Sequence, residues 1–227
     1  MRWLSNIFLG LISIGFLTLI GGVAGVAVVI GHYNQDLPDY TKLKKYEPPI
    51  LTRIYAGDGR LLAEYAQERR IFIPVEVIPD IVKQAFLSAE DKNFYKHPGI
   101  DGMAIARAMV TNLNNAGSGE RLIGASTITQ QVAKNFLLTN EVSYERKVKE
   151  AILSLRIEKA MSKDKILELY LNEIYLGQRA YGVAAAALTY FNKSLDELSV
   201  AESAYLAALP KAPNNYHPIR QRERAME

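Results

Sequence analysis

The chain has 227 residues, 49% of them apolar, and its 27 Lys and Arg exceed 24 Asp and Glu to leave a formal charge of +3. That apolar share excludes a disordered chain, and so small a charge gives no compositional reason to expect nucleic acid as a partner. The absence of cysteine excludes a disulfide framework, a thiolate metal site and a cysteine nucleophile, and three histidines (His32, His97, His217) argue against a metal site built mainly of imidazole.

No charged residue lies between Arg2 and Asp36, and the 24 residues Ile7–Ile30 are nearly all apolar or glycine. As a helix this run spans about 36 Å at 1.5 Å per residue, enough to cross a bilayer core of about 30 Å with some tilt. A cleaved signal peptide is the rival reading, with Gly25-Val26-Ala27 as a small-residue cleavage site. The run is longer than the usual apolar region of a signal peptide, which favours a retained anchor. Lys42, Lys44 and Lys45 follow within the distance over which lysine bias sets topology, and by themselves they favour a cytoplasmic body.

Leu37–Pro49 is a proline-punctuated linker. Ile50–Tyr55 and Leu61–Tyr65 flank Gly57-Asp58-Gly59, which predicts a β-hairpin, and Ile71–Val75 predicts a third strand. From Pro79 the apolar period becomes helical through Ala89, carrying Glu90 and Asp91 at the C-terminal end, where the helix dipole opposes a negative charge. Gly102–Leu113 predicts a second helix; its apolar run Met103–Val110 reads first as core packing and alternatively as a surface resting in the outer leaflet. Asn114–Gly124 reads as a mobile loop. Thr127-Ile128-Thr129-Gln130 is a capping box for a helix to about Leu138. Ser143 caps Tyr144–Met161, and Ser162 caps a helix to Leu176 stopped by Gly177. An alanine-rich segment runs from Tyr181 to Phe191, and Ser199–Glu202 is another capping box for a helix ended by Pro210. The chain is therefore expected to be mainly α with a small N-terminal β element.

Three segments concentrate polar chemistry: Glu90–Asp101 at a helix-to-loop junction, Gly124–Asn135 at a helix start, and Arg146–Glu150. A helix start offers unpaired N–H groups to an anion. Gln131, Lys134 and Asn135 share one helical face, a pattern suited to a sugar-phosphate. Read without further context, these segments are equally a solvated helix end, a capped amphipathic helix and an i,i+4 ion pair. Ser162-Lys163-Asp164-Lys165 has the Ser-x-x-Lys form of an acylating serine, but the partner motifs are missing and Ser162 reads as a helix cap.

In order and wording, EDKNFYKHPGID (90–101), GASTITQQVAKN (124–135), RKVKEAILSLRIE (146–158), KILELYLNEIYLGQRAYGVAAAA (165–187) and AYLAALPKAPNNYHP (204–218) resemble the bacterial peptidoglycan glycosyltransferases, the lysozyme-like polymerases of lipid II. The upstream residues resemble class A penicillin-binding proteins of the 1A type, which carry a transpeptidase domain after this one. The chain stops at Glu227, so that activity is expected to be missing, and 221–227 reads as a helix cut short. The resemblance implies a cytoplasmic tail (1–6), a transmembrane signal anchor (7–31), a linker with a short hairpin (32–76) and a lysozyme-like glycosyltransferase domain (77–227) on the periplasmic face of the plasma membrane. That orientation overrides the lysine count.

The implied reaction joins two lipid-linked disaccharide-peptides: an acceptor hydroxyl attacks the donor anomeric carbon and polyprenyl pyrophosphate leaves, inverting the anomeric configuration. One base and several cations are needed. Glu90 matches the family's essential glutamate and is expected to be the base. Glu150 matches the second and is expected to orient the pyrophosphate, its metal ion or nearby cations. Lys134, Arg146 and Lys147 are the implied phosphate-side cations. Thr127, Gln131 and Asn135 are implied sugar or phosphate contacts, with Asp91, Phe94 and His97 from the first motif and Lys211 from the last; a structural role for His97 weighs equally. The resemblance also implies Mg²⁺ or Mn²⁺ on phosphate oxygens, with no protein ligand assigned. The implied partners are lipid II, the growing lipid-linked strand, the membrane and other cell-wall synthesis proteins. The rival readings are a hydrolase of related fold, which has no pyrophosphate to neutralise, and a non-enzymatic anchored scaffold that only recruits cell-wall enzymes.

Overall fold

Side-chain caps set most of the helix starts. Asp101 Oδ1 accepts from Ala104 N at 2.9 Å, and Ser143 and Ser162 accept from Arg146 N and Lys165 N at 3.1 and 3.2 Å. Thr127 and Ser199 each form a full capping box, with Gln130 and Glu202. Each such cap satisfies an N–H that the helix itself leaves unpaired. The structure, a computed structural model, describes residues 2–34, 36–46, 52–65, 69–119, 122–139 and 141–211. In chain order these form α1 (Arg2–Tyr33), β1 (Thr52–Tyr55), β2 (Leu61–Tyr65), β3 (Arg69–Arg70), α2 (Asp80–Glu90), α3 (Gly102–Asn114), α4 (Ile128–Leu137), α5 (Tyr144–Ala160), α6 (Lys163–Glu173), β4 (Ala180–Tyr181), α7 (Val183–Phe191) and α8 (Val200–Ala208). The architecture is mainly α, as the sequence predicts. The expected C-terminal helix start at 221–227, His217, the hairpin's first residues Ile50 and Leu51, and most of the Pro48–Pro49 linker end lie outside the described residues.

Helix α6 is the centre of the core. Ile166, Leu167, Leu169, Tyr170 and Leu171 are all at most 1% exposed. Helix α4 packs against α5 and α6, and α2 packs against α8. The alanines of α7, buried from Ala184 to Ala187, let that helix approach its neighbours closely. Gly182 precedes it with φ +80; a Cβ there would sit 2.6 Å from the Asn172 carbonyl oxygen, so glycine is required. Helix α1 includes a run, Gly15–Tyr33, long and apolar enough to cross a membrane by length and composition.

The structure departs from the expected elements in three places. The hairpin forms as β1–β2, but Ile71–Val75 is not a third strand. The Asn172 side chain accepts from Ile73 N and donates to Ile73 O, Glu168 Oε2 accepts from Val75 N at 3.0 Å, and Pro74 has no N–H. Side chains of α6 thus take up the hydrogen bonds a neighbouring strand would have supplied. The two-residue β3 instead pairs in parallel with β4. Arg70, stacked 4.3 Å over Tyr181, pairs with Glu173, which also accepts from the Tyr46 hydroxyl at 3.1 Å, so the linker is clamped to α6. Second, α6 ends at Glu173 rather than Leu176, and α7 begins at Val183. Leu176 N bonds to Ala180 O and Gly182 N to Ile174 O, closing a reversal through Gly177, Gln178 and Arg179, all at positive φ. Third, α3 does not pack its apolar run into the core: Ala108 is buried, but Met103, Met109, Val110 and Leu113 are 59–75% exposed.

Asp91 fixes the junction that places the site. It follows the last residue of α2, and its carboxylate lies 3.0 Å from His97 Nε2 through both oxygens. Gly99 N donates to His97 Nδ1 at 3.1 Å, so the ring proton is on Nε2 and points at Asp91. Asp91 Oδ2 also accepts from Ile128 N, the first residue of α4. The end of α2, the 92–99 loop and the start of α4 are thereby joined at one carboxylate. We expect Asp91→Ala to leave two buried donors without acceptors, at about 1–3 kcal/mol each, and to lower the unfolding free energy by about 2–5 kcal/mol in denaturant titration. A loss under about 0.5 kcal/mol would show that the junction is held by other contacts.

Candidate active site

Glu90 ends α2 and is half-buried at a cleft of about 520 Å³ lined also by Leu122, Ile123, Ser126, Gln131 and Lys211. Gln131, one turn into α4, donates its side-chain N–H to Glu90 Oε2 at 2.6 Å. Burial pushes the Glu90 carboxyl above its ordinary range. The Gln131 hydrogen bond and the positive charge of Lys134 pull it partly back, Asp91 adds to the rise, and Lys211 opposes it. A carboxylate held this way is a better proton acceptor than one in water. A second pocket of about 190 Å³ adjoins on the other side of Glu90, between Lys92, Arg107 and Thr127.

The cations sit on the α4–α5 side. Glu150, 1% exposed, pairs with Arg146 one turn before it and with Lys147 Nζ at 2.6 Å. Lys147 Nζ also donates to Ser126 Oγ at 3.1 Å, at the cleft wall. Lys134 stands between the two carboxylates. Burial depresses its ammonium, the charge of Glu150 opposes that most strongly, Arg146 and Lys147 add to the depression, and Glu90 opposes it. Arg146 and Lys147 therefore share one buried carboxylate, whose charge also reaches Lys134, and Lys211 lines the cleft with Glu90. The excess of positive charge suits a polyanion.

The other residues named from the sequence fall in different places. Thr127 is buried as the α4 cap, its hydroxyl donating to Gly99 O at 2.6 Å, and its edge reaches the smaller pocket. Phe94 is 1% exposed beneath Lys163, whose Nζ lies 4.3 Å from its ring centre; it supports the loop from inside the core rather than facing the cleft. His97 is 8% exposed and both its nitrogens are engaged with Asp91 and Gly99. Asn135 is exposed on α4, outside the residues lining either pocket. Ser162 caps α6. The sequence reading missed Leu122 and Ile123, apolar cleft residues inside a segment marked only by its glycines. Asn112 of α3 holds Ile123 in place, accepting from its N–H at 2.8 Å and donating to its carbonyl at 3.0 Å.

Among the described residues no three His, Asp or Glu side chains gather in a metal-binding cluster. The carboxylate nearest the cations, Glu150, is taken up by Arg146 and Lys147. The residues present thus do not fit a divalent ion held by the protein alone.

Penicillin-binding protein 1A of Rickettsia felis is 58% identical over 199 residues, 88% of this chain and 25% of that protein. Penicillin-binding protein 1A of Neisseria gonorrhoeae is 49% identical over 204 residues, 90% of this chain and 25% of that protein. A crystal structure of penicillin-binding protein 1A from Haemophilus influenzae is 30% identical, covering 79% of this chain and 17% of that one, with a TM-score of 0.42. The chain spans about a quarter of the length of the curated relatives it matches. The family model described as transglycosylase matches residues 58–227, a span that holds Glu90, Gln131, Lys134, Glu150 and Lys211. With more than half its length so matched, the chain belongs to the transglycosylase family.

Proposed function

We propose that the chain polymerises lipid II into peptidoglycan glycan strands, with release of polyprenyl pyrophosphate. The observation that carries this reading is one half-buried carboxylate, Glu90, facing a cleft that Lys211 also lines, with Lys134 near enough to act on its charge and Lys147 hydrogen-bonded to the cleft residue Ser126. In this reading Glu90 takes the proton of the acceptor's 4-hydroxyl as that oxygen attacks the donor's anomeric carbon. The carbon–oxygen bond to pyrophosphate breaks on the opposite face, so the anomeric configuration inverts. Pyrophosphate leaves without being protonated because the cations stabilise its developing charge. Gln131 orients Glu90, and Glu150 holds Arg146 and Lys147 in place. A Mg²⁺ or Mn²⁺ ion, if used, would be carried on the pyrophosphate oxygens, and no step above depends on it.

A hydrolase needs a base and an acid but no cation cluster, so the α4–α5 charges favour transfer over hydrolysis. Membrane attachment follows from the substrates. Both hang from lipid tails, and an enzyme anchored by α1 with its body on the periplasmic face meets them at raised effective concentration. The exposed Met103, Met109, Val110 and Leu113 of α3, on the element that holds Ile123, supply a surface for the outer leaflet beside the cleft.

With labelled lipid II, Glu90→Gln is expected to cut polymerisation by about 10²–10⁴-fold. The same variant tests the burial of Glu90. A carboxyl whose pKa is raised on folding binds its proton more tightly when folded, so ionising it destabilises the protein as pH rises through the interval above the ordinary glutamate value. Glu90→Gln should therefore unfold at a temperature equal to or above wild type at pH 7, with the difference shrinking toward pH 4; a large fall in melting temperature at pH 7 would contradict that placement. Lys134→Ala is expected to weaken inhibition by inorganic pyrophosphate about tenfold, equivalent to about 1.4 kcal/mol, in the same assay. Unchanged inhibition would remove Lys134 from the phosphate side.

A further inference from the structure

The residues that follow α1 are fastened to the body. Leu43 is 3% exposed, and Leu37, Tyr40 and Tyr46 pack against the same core. The Asp39 carboxylate accepts from Thr41 N at 2.9 Å and caps the helical turn Tyr40–Lys45, which lies against α4 and α5. Asn34, the residue after α1, accepts a hydrogen bond from Arg156 of α5, and α1 itself meets α5. Asp36 and Pro38 share a cavity of about 270 Å³ with Glu141, Ser143 and Arg146. The start of α5 is therefore fixed beside the point where α1 ends. On either side of its cap, Ser143, stand Val142 and Tyr144, 92% and 93% exposed. Packing within the chain gives neither position a reason to be apolar or aromatic. On α1, Val28, Val29 and Ile30 are also exposed, and His32 and Tyr33 follow with ring centres 4.9 Å apart. An apolar run that gives way to polar-tipped rings marks the level at which a spanning helix leaves hydrocarbon for headgroups.

We propose that Val142 and Tyr144 form a second membrane contact, seated in the headgroup region of the leaflet from which α1 emerges, and that they hold the first turn of α5 at that depth. This rests on the reading of α1 as a spanning helix. The contact is separate from the α3 face and lies on the α4–α5 side of the molecule. Its occupant is a lipid surface because the segment is held beside the end of α1. A tyrosine suits that zone, since its ring can sit among the upper acyl chains while its hydroxyl stays wet. The consequence falls on the proposed substrate. Arg146 and Lys147 belong to that first turn, and the pyrophosphate of a lipid-linked sugar lies at headgroup depth. The cations thus meet the phosphates without drawing the polyprenyl tail out of hydrocarbon.

The test uses the full chain in vesicles of phosphatidylethanolamine and phosphatidylglycerol. With Trp3, the sole tryptophan, changed to phenylalanine, Tyr144→Trp places one indole in the segment. It should emit at shorter wavelength than indole in water and lose about half its intensity to lipids brominated at the headgroup end of the acyl chain. Phe16→Trp in the same background reports on α1 and should be quenched by lipids brominated near the chain end. Quenching at position 16 without quenching at 144 would overturn the proposal alone. So would a short-wavelength indole at 144 that brominated lipid leaves unquenched, since protein would then be covering it. No quenching at 16 would overturn the reading of α1 and the proposal with it. Val142→Ser combined with Tyr144→Ser should raise the Michaelis constant for lipid II in vesicles about threefold or more. The melting temperature should not change, because neither side chain packs against the fold. An unchanged Michaelis constant would overturn the role in holding α5 at depth.

Discussion

Asp91 joins three pieces of chain at one carboxylate. Two acidic residues at the end of α2 stand where that helix's own dipole is negative, an arrangement that local stability does not favour. The structure offsets it with a second helix. The Asp91 carboxylate accepts from the first N–H of α4, so the positive start of one helix faces the acidic end of the other. His97, held in one tautomer by Gly99, supplies the remaining donor. Glu90 is thereby brought within 2.6 Å of the Gln131 side chain, although the two are 41 positions apart in sequence. The identity of the neighbouring acid matters because its oxygens build the junction, leaving Glu90 to face the cleft.

The cationic wall depends on a different balance. Lys134, Arg146 and Lys147 would repel one another without Glu150, and Glu150 at 1% exposure would be a costly buried charge without them. One carboxylate among three cations leaves net positive charge on the α4–α5 side. The remainder of the fold is clamped more tightly than the site. Lys163 is bonded to Glu158 and to the His97 carbonyl, Glu158 accepts from Thr129, and Arg70 and Tyr46 share Glu173. Those contacts tie the loops to α5 and α6, so the cleft can be polar and open without loosening the core.

The parts of the molecule legible in the sequence were those decided within a few residues. Caps at Thr127, Ser143, Ser162 and Ser199 set helix starts through hydrogen bonds three positions away, and each helix begins where its cap predicts. The Gly57–Gly59 turn likewise delivers the β1–β2 hairpin. What could not be read was decided at long range. Ile71–Val75 has the composition of a strand, but its hydrogen bonds go to Glu168 and Asn172, about a hundred residues on. The apolar period of α3 reads the same whether it faces a core or a surface, and only the assembled neighbours show that it faces outward. Within the site, Glu90, Lys134 and Glu150 stood out by charge and motif. Gln131's contact with Glu90 has no local signature, because its partner lies on another helix.

Stability and chemistry pull apart at Glu90. Burial raises the carboxyl's proton affinity, which makes it a stronger base and at the same time makes its ionised form a cost to the fold at neutral pH. The neighbours limit that cost without abolishing it: Gln131 donates one bond and Lys134 acts through space, itself depressed by its surroundings. Stronger pairing, such as a direct Lys134–Glu90 bridge, would stabilise the protein and lower the carboxylate's proton affinity, since a carboxylate locked to an ammonium accepts protons poorly. On the α4–α5 side, by contrast, both oxygens of Glu150 are paired, with Arg146 and Lys147. The two glutamates differ in how completely their charges are answered, and that difference is set by which helix faces each one.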